Sequence, residues 1–169
     1  MTDSVPEHAA LLDDFRKAMR HVAATVYAVT TRHEGRSYGI LATAVSSLSF
    51  DPPSLLVCIN RSASLHAPLL AEGRFCVNVL GLGNRDVAEH FMTPSAADRF
   101  TVGDWELADG VPVLASAQSS LLCQLVHAHD FGTHSIFIGE LTAAKHRQDA
   151  TPLTYFDRQY IDISEAPGR

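Results

Sequence analysis

The stretch Gly39–Asn60, GILATAVSSLSFDPPSLLVCIN, decides how this chain is read. Small and hydroxylated residues lead into Asp51-Pro52-Pro53, and an apolar segment, Leu55 to Ile59, then ends at Asn60. Proline fixes φ and has no N–H, so the pair forces a turn between two extended segments. Small side chains let a planar ring lie against backbone, and the hydroxyls of Thr43, Ser46 and Ser47 offer hydrogen-bond donors. A strand packed tightly on a neighbour would read the same way. The continuation, Asn60-Arg61-Ser62-Ala63-Ser64-Leu65-His66-Ala67-Pro68, favours a ligand, because a strand there runs into a hydroxyl-rich turn and a helix begins. A helix start presents unpaired N–H groups and a positive dipole end. It therefore suits a phosphate, with Ser62 and Ser64 as donors and Arg61 as the countercharge. The plainer reading is that Ser62 or Ser64 caps the helix.

Outward from this stretch the chain is mostly strand. Thr25 to Thr31 is rich in β-branched residues and is followed by the turn His33-Glu34-Gly35-Arg36, which predicts a hairpin with the Gly39 segment. Ser54–Asn60 and Arg74–Leu80 read as strands, separated by a short helix from Ser64 to Ala71 that stops near Gly73. Leu11, Leu12, Phe15, Met19 and Val22 recur at helical spacing in an amphipathic opening helix. A second helical segment, Asn84 to Phe91, ends at Thr93-Pro94. A loop from Ser95 to Pro112 follows, with a strand-like fragment from Asp104 to Leu107 and with Phe100 and Trp105 covering core. Two long β runs, Ser119–Asp130 and Ser135–Lys145, are joined by Phe131-Gly132-Thr133-His134, and Leu153 to Tyr160 closes the chain. Short links between many strands predict a mainly β fold, a closed or split β-barrel with peripheral helices, because closure removes exposed edges. A doubly wound α/β sheet would need helical crossovers that are missing here.

At 169 residues the chain reads as a single domain, 1–169, with residues 1–10 flexible. A net charge of −6 without a Lys/Arg cluster argues against nucleic acid or an anionic membrane as partner. Cys58, Cys76 and Cys123 do not form the even, regular set of a disulfide framework. With no basic and apolar leader and no membrane-length apolar run, they point to a cytoplasmic protein. Nine histidines invite a metal reading, chiefly Cys123, His127, His129 and His134. Strand alternation would put the first three on one face, but no Cys-x-x-Cys or His-Glu-x-x-His accompanies them, and no metal is expected.

The spaced motifs resemble, nearly end to end, the flavin reductase-like family with its FMN-binding split barrel. The landmarks are Phe15-Arg16-Lys17-Ala18-Met19, Ala42-Thr43-Ala44-Val45-Ser46-Ser47 ahead of Asp51-Pro52-Pro53, Leu56-Val57-Cys58-Ile59-Asn60, Phe75-Cys76-Val77-Asn78-Val79-Leu80, Gly132-Thr133-His134, and Tyr155-Phe156-Asp157-Arg158-Gln159-Tyr160. They look most like the small reductase components of two-component flavin monooxygenases, such as those of the 4-hydroxyphenylacetate and pyrimidine-degradation systems. The resemblance implies a homodimeric NAD(P)H-dependent reductase that takes NADH or NADPH as hydride donor, reduces FMN or FAD, and hands the reduced flavin to a partner monooxygenase. Carried over by motif, Thr43, Ala44, Val45, Ser46 and Ser47 would line the isoalloxazine. Cys58, Ile59 and Asn60 would pass under the ribityl chain, Arg61, Ser62 and Ser64 would reach the phosphate, and Phe91 would flank the ring.

In that family a Gly-Asp-His motif is associated with nicotinamide binding, and here it reads Gly132-Thr133-His134. The missing carboxylate weakens a role for position 133 and leaves His134 as the contact and catalytic candidate. Its alternative is a strand-start histidine bonded across a turn. Tyr155 and Tyr160 would cover a ring face or pack the C-terminal segment. Hydride transfer is carried out by the cofactors, so the absence of a Ser/His/Asp or Cys/His arrangement is expected. The competing function is a flavin carrier or redox sensor without nicotinamide turnover.

Overall fold

A computed structural model describes residues 4–93, 98–148 and 151–164, with side chains from residue 8 onward. Its centre is one antiparallel sheet of seven strands, and the hairpin expected between Thr25–Thr31 and the Gly39 segment forms one edge of it. There β2 (Tyr27–His33) pairs with β3 (Arg36–Ala42) through a tight turn in which Glu34 and Gly35 both have positive φ, 48° and 77°. At the other edge β4 (Val45–Phe50) pairs with β5 (Pro53–Asn60) across the Asp51-Pro52-Pro53 break. With β6 (Arg74–Val79), β9 (Ser119–Phe131) and β10 (His134–His146), the order is β3-β2-β6-β9-β10-β5-β4. The two edge strands, β3 and β4, are consecutive in the chain and joined by only Thr43 and Ala44. That two-residue link draws the edges of the sheet toward each other and makes it a split β-barrel. It is fixed to the barrel where the Cys58 N–H donates to the Ala44 carbonyl at 3.0 Å.

Alternate residues of β5 enter the barrel: Leu55, Val57 and Ile59 are buried, together with Leu65, Leu69, Phe75, Val77, Cys123 and Phe137. A second cluster, Val26, Ala28, Leu80, Val87, Phe91, Leu114 and Leu153, lies under α3 (Arg85–Phe91) and a small sheet of β1 (Ala24–Thr25), β11 (Thr154–Phe156) and β12 (Gln159–Ile161). The register of β9 on β10 slips between Ile138 and Gly139, which face His127 and Leu125 and leave Val126 as the extra residue of a bulge. Gly139 sits at that slip, against Phe75 and Cys123.

Asn78, fully buried in β6, ties three elements together. Its Nδ2 donates to the Ala28 carbonyl at 3.0 Å, and its Oδ1 accepts from the Leu114 N–H at 2.9 Å. Replacing it with Ala removes the side-chain donor to the Ala28 carbonyl and leaves the buried Leu114 N–H without its acceptor. Asn78→Ala is expected to lose about 2–4 kcal/mol of stability, read from urea unfolding.

Several boundaries differ from expectation. The helix expected from Ser64 is α2 (His66–Glu72), with Leu65 at its N-cap, no side-chain cap, and Gly73 closing it at φ 70°. Neither serine caps it. The loop read from Ser95 to Pro112 holds most of a further hairpin, β7 (Trp105–Ala108) and β8 (Val111–Leu114), turned by Asp109 and Gly110 at φ 48° and 78°. The Asp-Gly dipeptide is the signal that marks it. Pro94 and residues 95–97 of that loop lie outside the described residues. The opening helix, α1 (Ser4–Arg20), leaves Leu11, Phe15 and Met19 more than half exposed. Of the ten residues expected to be flexible, Ser4 onward are helical and 1–3 lie outside the described residues.

Candidate functional site

Two motifs seventy positions apart meet at one end of the barrel. In the antiparallel ladder of β5 and β10, Asn60 stands opposite His134, and the Arg61 N–H donates to the Thr133 carbonyl at 2.9 Å. The Gly132-Thr133 turn, with Gly132 at φ 57°, therefore lies directly on the Asn60–Ser64 loop. Asn60 shapes that loop: its Oδ1 accepts from the Ser62 N–H at 2.9 Å and the Ser62 hydroxyl at 2.8 Å, an Asx turn. His134 is exposed, and its Nδ1 lies 2.9 Å from the Thr133 hydroxyl. With that hydroxyl donating to Nδ1, Nε2 carries the proton and is a donor toward solvent.

Beneath the loop runs a chain of polar groups that sequence reading did not find. The buried His66 Nε2 lies 2.7 Å from the Ser135 hydroxyl, which donates to Asp130 Oδ1 at 2.6 Å. Asp130 Oδ2 lies 3.8 Å from Arg61 Nε. Because the Ser135 proton is committed to Asp130, Nε2 of His66 must be the donor to Ser135. The order of these bonds makes the serine a link between two groups and not a nucleophile. The Ser135 hydroxyl, and after it the Arg61 charge, holds the Asp130 carboxyl below the usual carboxylate range.

A second cation was also missed. Arg99 Nη1 donates to the Gly39 carbonyl at 2.7 Å and to the Ser64 hydroxyl at 3.3 Å. Its Nε is buried without a partner among the described residues. Arg99 follows the 94–97 segment, far in sequence from the serine it touches, so spacing carried no sign of it.

The remaining sequence-predicted residues divide. Thr43 borders an apolar hollow of about 210 Å³ with Leu41, Met92, Tyr155 and Tyr160, the two tyrosine rings meeting edge-on at 5.7 Å. Val45, Ser46 and Ser47 border a separate hollow of about 340 Å³ with Tyr27 and Phe50. Ala44 is exposed between them and Cys58 is half-buried. Ile59 is fully buried in the barrel and can offer a ligand only its backbone. Phe91 is 3% exposed, its ring 5.6 Å from Phe100 and 5.5 Å from Trp105, so its side chain flanks core and the neighbouring Met92 faces the hollow. The same cluster explains Gly39: a Cβ there would stand 2.8 Å from Phe91 Cε1. The ring that Gly39 admits is the protein's own. A larger hollow of about 410 Å³, between Asn84, Gln118 and Arg147, contains none of these residues.

The metal reading fails on geometry. Cys123 points into the core, and the bulge at Val126 breaks the alternation that would have aligned it with the exposed His127 and His129. Burial pushes the Cys123 thiol up to about 12 and Cys76 higher still, so neither is a thiolate at neutral pH.

Residues 19–164 match the flavin reductase like domain. The chain belongs to this family. Among its flavin reductase relatives, the FMN reductase (NADH) RutF of Pseudomonas syringae is 42% identical over 90% of this chain and 88% of its own. The reductase component of the FADH2-dependent resorcinol hydroxylase of a Rhizobium species is 39% identical over 90% of this chain and 88% of its own. Among solved flavin reductases, the NADH:FAD oxidoreductase of Streptomyces globisporus, in complex with NAD and FAD fragments, superposes with a TM-score of 0.85 at 26% identity. It covers 92% of this chain and 94% of that one. No helix of the described residues is long and apolar enough to cross a membrane.

Proposed function

We propose that this protein is an NADH-dependent flavin reductase that reduces FMN and releases it to a separate monooxygenase. The observation that carries the reading is the 2.9 Å bond from the Arg61 N–H to the Thr133 carbonyl, which puts the expected flavin-phosphate loop and the expected nicotinamide turn side by side. The names of the relatives support FMN and NADH as the pair, and the resorcinol hydroxylase component supports delivery to an oxygenase.

The residues present suit a flavin. Arg61, Ser62 and Ser64 form an exposed cationic and hydroxylated loop for the phosphate, backed by Arg99. The Thr43–Ser47 segment exposes small side chains and hydroxyls for the ring, and Tyr155, Tyr160 and Met92 supply an apolar wall beside Thr43. When both are bound, the nicotinamide and flavin supply the hydride chemistry themselves. What the chain contributes is holding the two rings together, keeping water from between them, and presenting a donor at His134 Nε2. The expected homodimer is supported by Phe50 and Phe131, 89% and 80% exposed in the single chain. A cytoplasmic location is supported by three free thiols.

The test is steady-state oxidation of NADH and NADPH with FMN, FAD or riboflavin added. A flavin-dependent rate, highest with NADH and FMN, is expected; none with either nicotinamide would assign the protein to flavin carriage instead. His134→Ala is expected to raise the KM for NADH about three- to ten-fold, the worth of one hydrogen bond, with the KM for FMN unchanged. An unchanged NADH KM would return His134 to the role of a strand-start residue.

A further inference from the structure

We infer that Asp130 is a release element, a fixed carboxylate that competes with the flavin phosphate for Arg61 and keeps flavin affinity low enough for hand-off. The inference rests on the reading of Arg61 as the phosphate's countercharge. Arg61 is exposed and free to receive an anion, yet its Nε already faces Asp130 Oδ2 at 3.8 Å. An ordinary surface carboxylate would swing away when a phosphate arrives. Asp130 is held in place, because its other oxygen takes the Ser135 hydroxyl at 2.6 Å and Ser135, fully buried, is bonded in turn to the buried His66.

A phosphate on Arg61 must therefore share the guanidinium with a second anion, exposed to solvent but tethered by the Ser135 hydroxyl. Two like charges on one cation repel, and in a solvated setting the penalty is modest and sensitive to salt. A modest penalty suits a protein that must let its product go, since affinity is adjusted chiefly through the rate of departure. The groups that act on Asp130 from the elements around it are Arg61, His66 and His129, all cationic or potentially so. Asp130 is thus ionised wherever the enzyme works near neutrality.

The decisive measurement is the affinity of FMN and of riboflavin for the intact protein, with Asp130→Asn, Arg61→Ala and the double variant. Asparagine keeps an oxygen for the Ser135 hydroxyl, so the fold beneath the loop is retained, and unchanged riboflavin binding verifies this. Asp130→Asn is expected to tighten FMN about three- to ten-fold and slow its dissociation, with riboflavin unaffected. Raising the salt to about 1 M, where the Debye length is about 3 Å, should shrink the difference. The gain should vanish in the Arg61→Ala background. Weaker or unchanged FMN binding in Asp130→Asn, with Arg61→Ala still selectively weakening FMN, overturns the release role and leaves the phosphate site standing. Equal effects of Arg61→Ala on FMN and riboflavin would instead remove the phosphate reading, and the release role with it.

Discussion

Gly139→Ala is expected to lose about 3 kcal/mol of stability, and Gly139→Val enough to prevent folding, although neither touches the flavin site. A Cβ at position 139 would stand 2.8 Å from the Cβ of Cys123 and closer still to the Cζ of Phe75. Both neighbours are locked. Phe75 is fully buried among Val57, Leu69 and Phe137, and Cys123 is 2% exposed on the adjoining strand. No flexible tip can move aside, so the strain falls on the backbone at the slip between β9 and β10. Urea unfolding should show the midpoint falling with little change in slope. Phe75→Leu, harmful alone because it opens a cavity, should recover part of the loss when combined with Gly139→Ala. Additive losses in the double variant would mean that the clash lies elsewhere.

Arg61→Ala is expected to weaken FMN about 10- to 100-fold and to leave riboflavin nearly unchanged, since the two ligands differ only in the phosphate. The guanidinium is the exposed cation of the Asn60–Ser64 loop, whereas the Arg99 cation behind it is committed to the Gly39 carbonyl and Ser64. Raising the salt should weaken FMN more in the native protein than in the variant. Arg61→Lys should recover part of the affinity, because charge is kept while the planar fork is lost. Titration by flavin fluorescence measures all of these.

What the sequence made legible follows from local chemistry. The Glu34-Gly35 turn, the proline pair and Gly73 act on neighbours in the chain, and each marks its element within two or three residues. The barrel followed because short turns between β runs leave few other ways to hide edges. The motifs of the Asn60 loop and the His134 turn were visible separately, and their resemblance to a family joined them before the ladder of β5 and β10 did. The illegible parts depend on contacts distant in sequence. Phe91 enters as a flavin neighbour only through the resemblance, and its packing on Phe100 and Trp105 turns it inward. Arg99, His66 and Asp130 gain their meaning from Ser64, Ser135 and Arg61, and no local pattern announces such partners. The Val126 bulge reverses an alternation that looked regular.

Strand β5 divides its labour by parity. Leu55, Val57 and Ile59 are committed to the barrel, whereas Leu56, Cys58 and Asn60 face away from it. Inheritance can therefore act on the two sets almost independently. Drift at the even positions can alter the outer face of the strand, while the odd positions stay under the constraint of a packed interior. A lineage of such reductases can change that face without rebuilding its house.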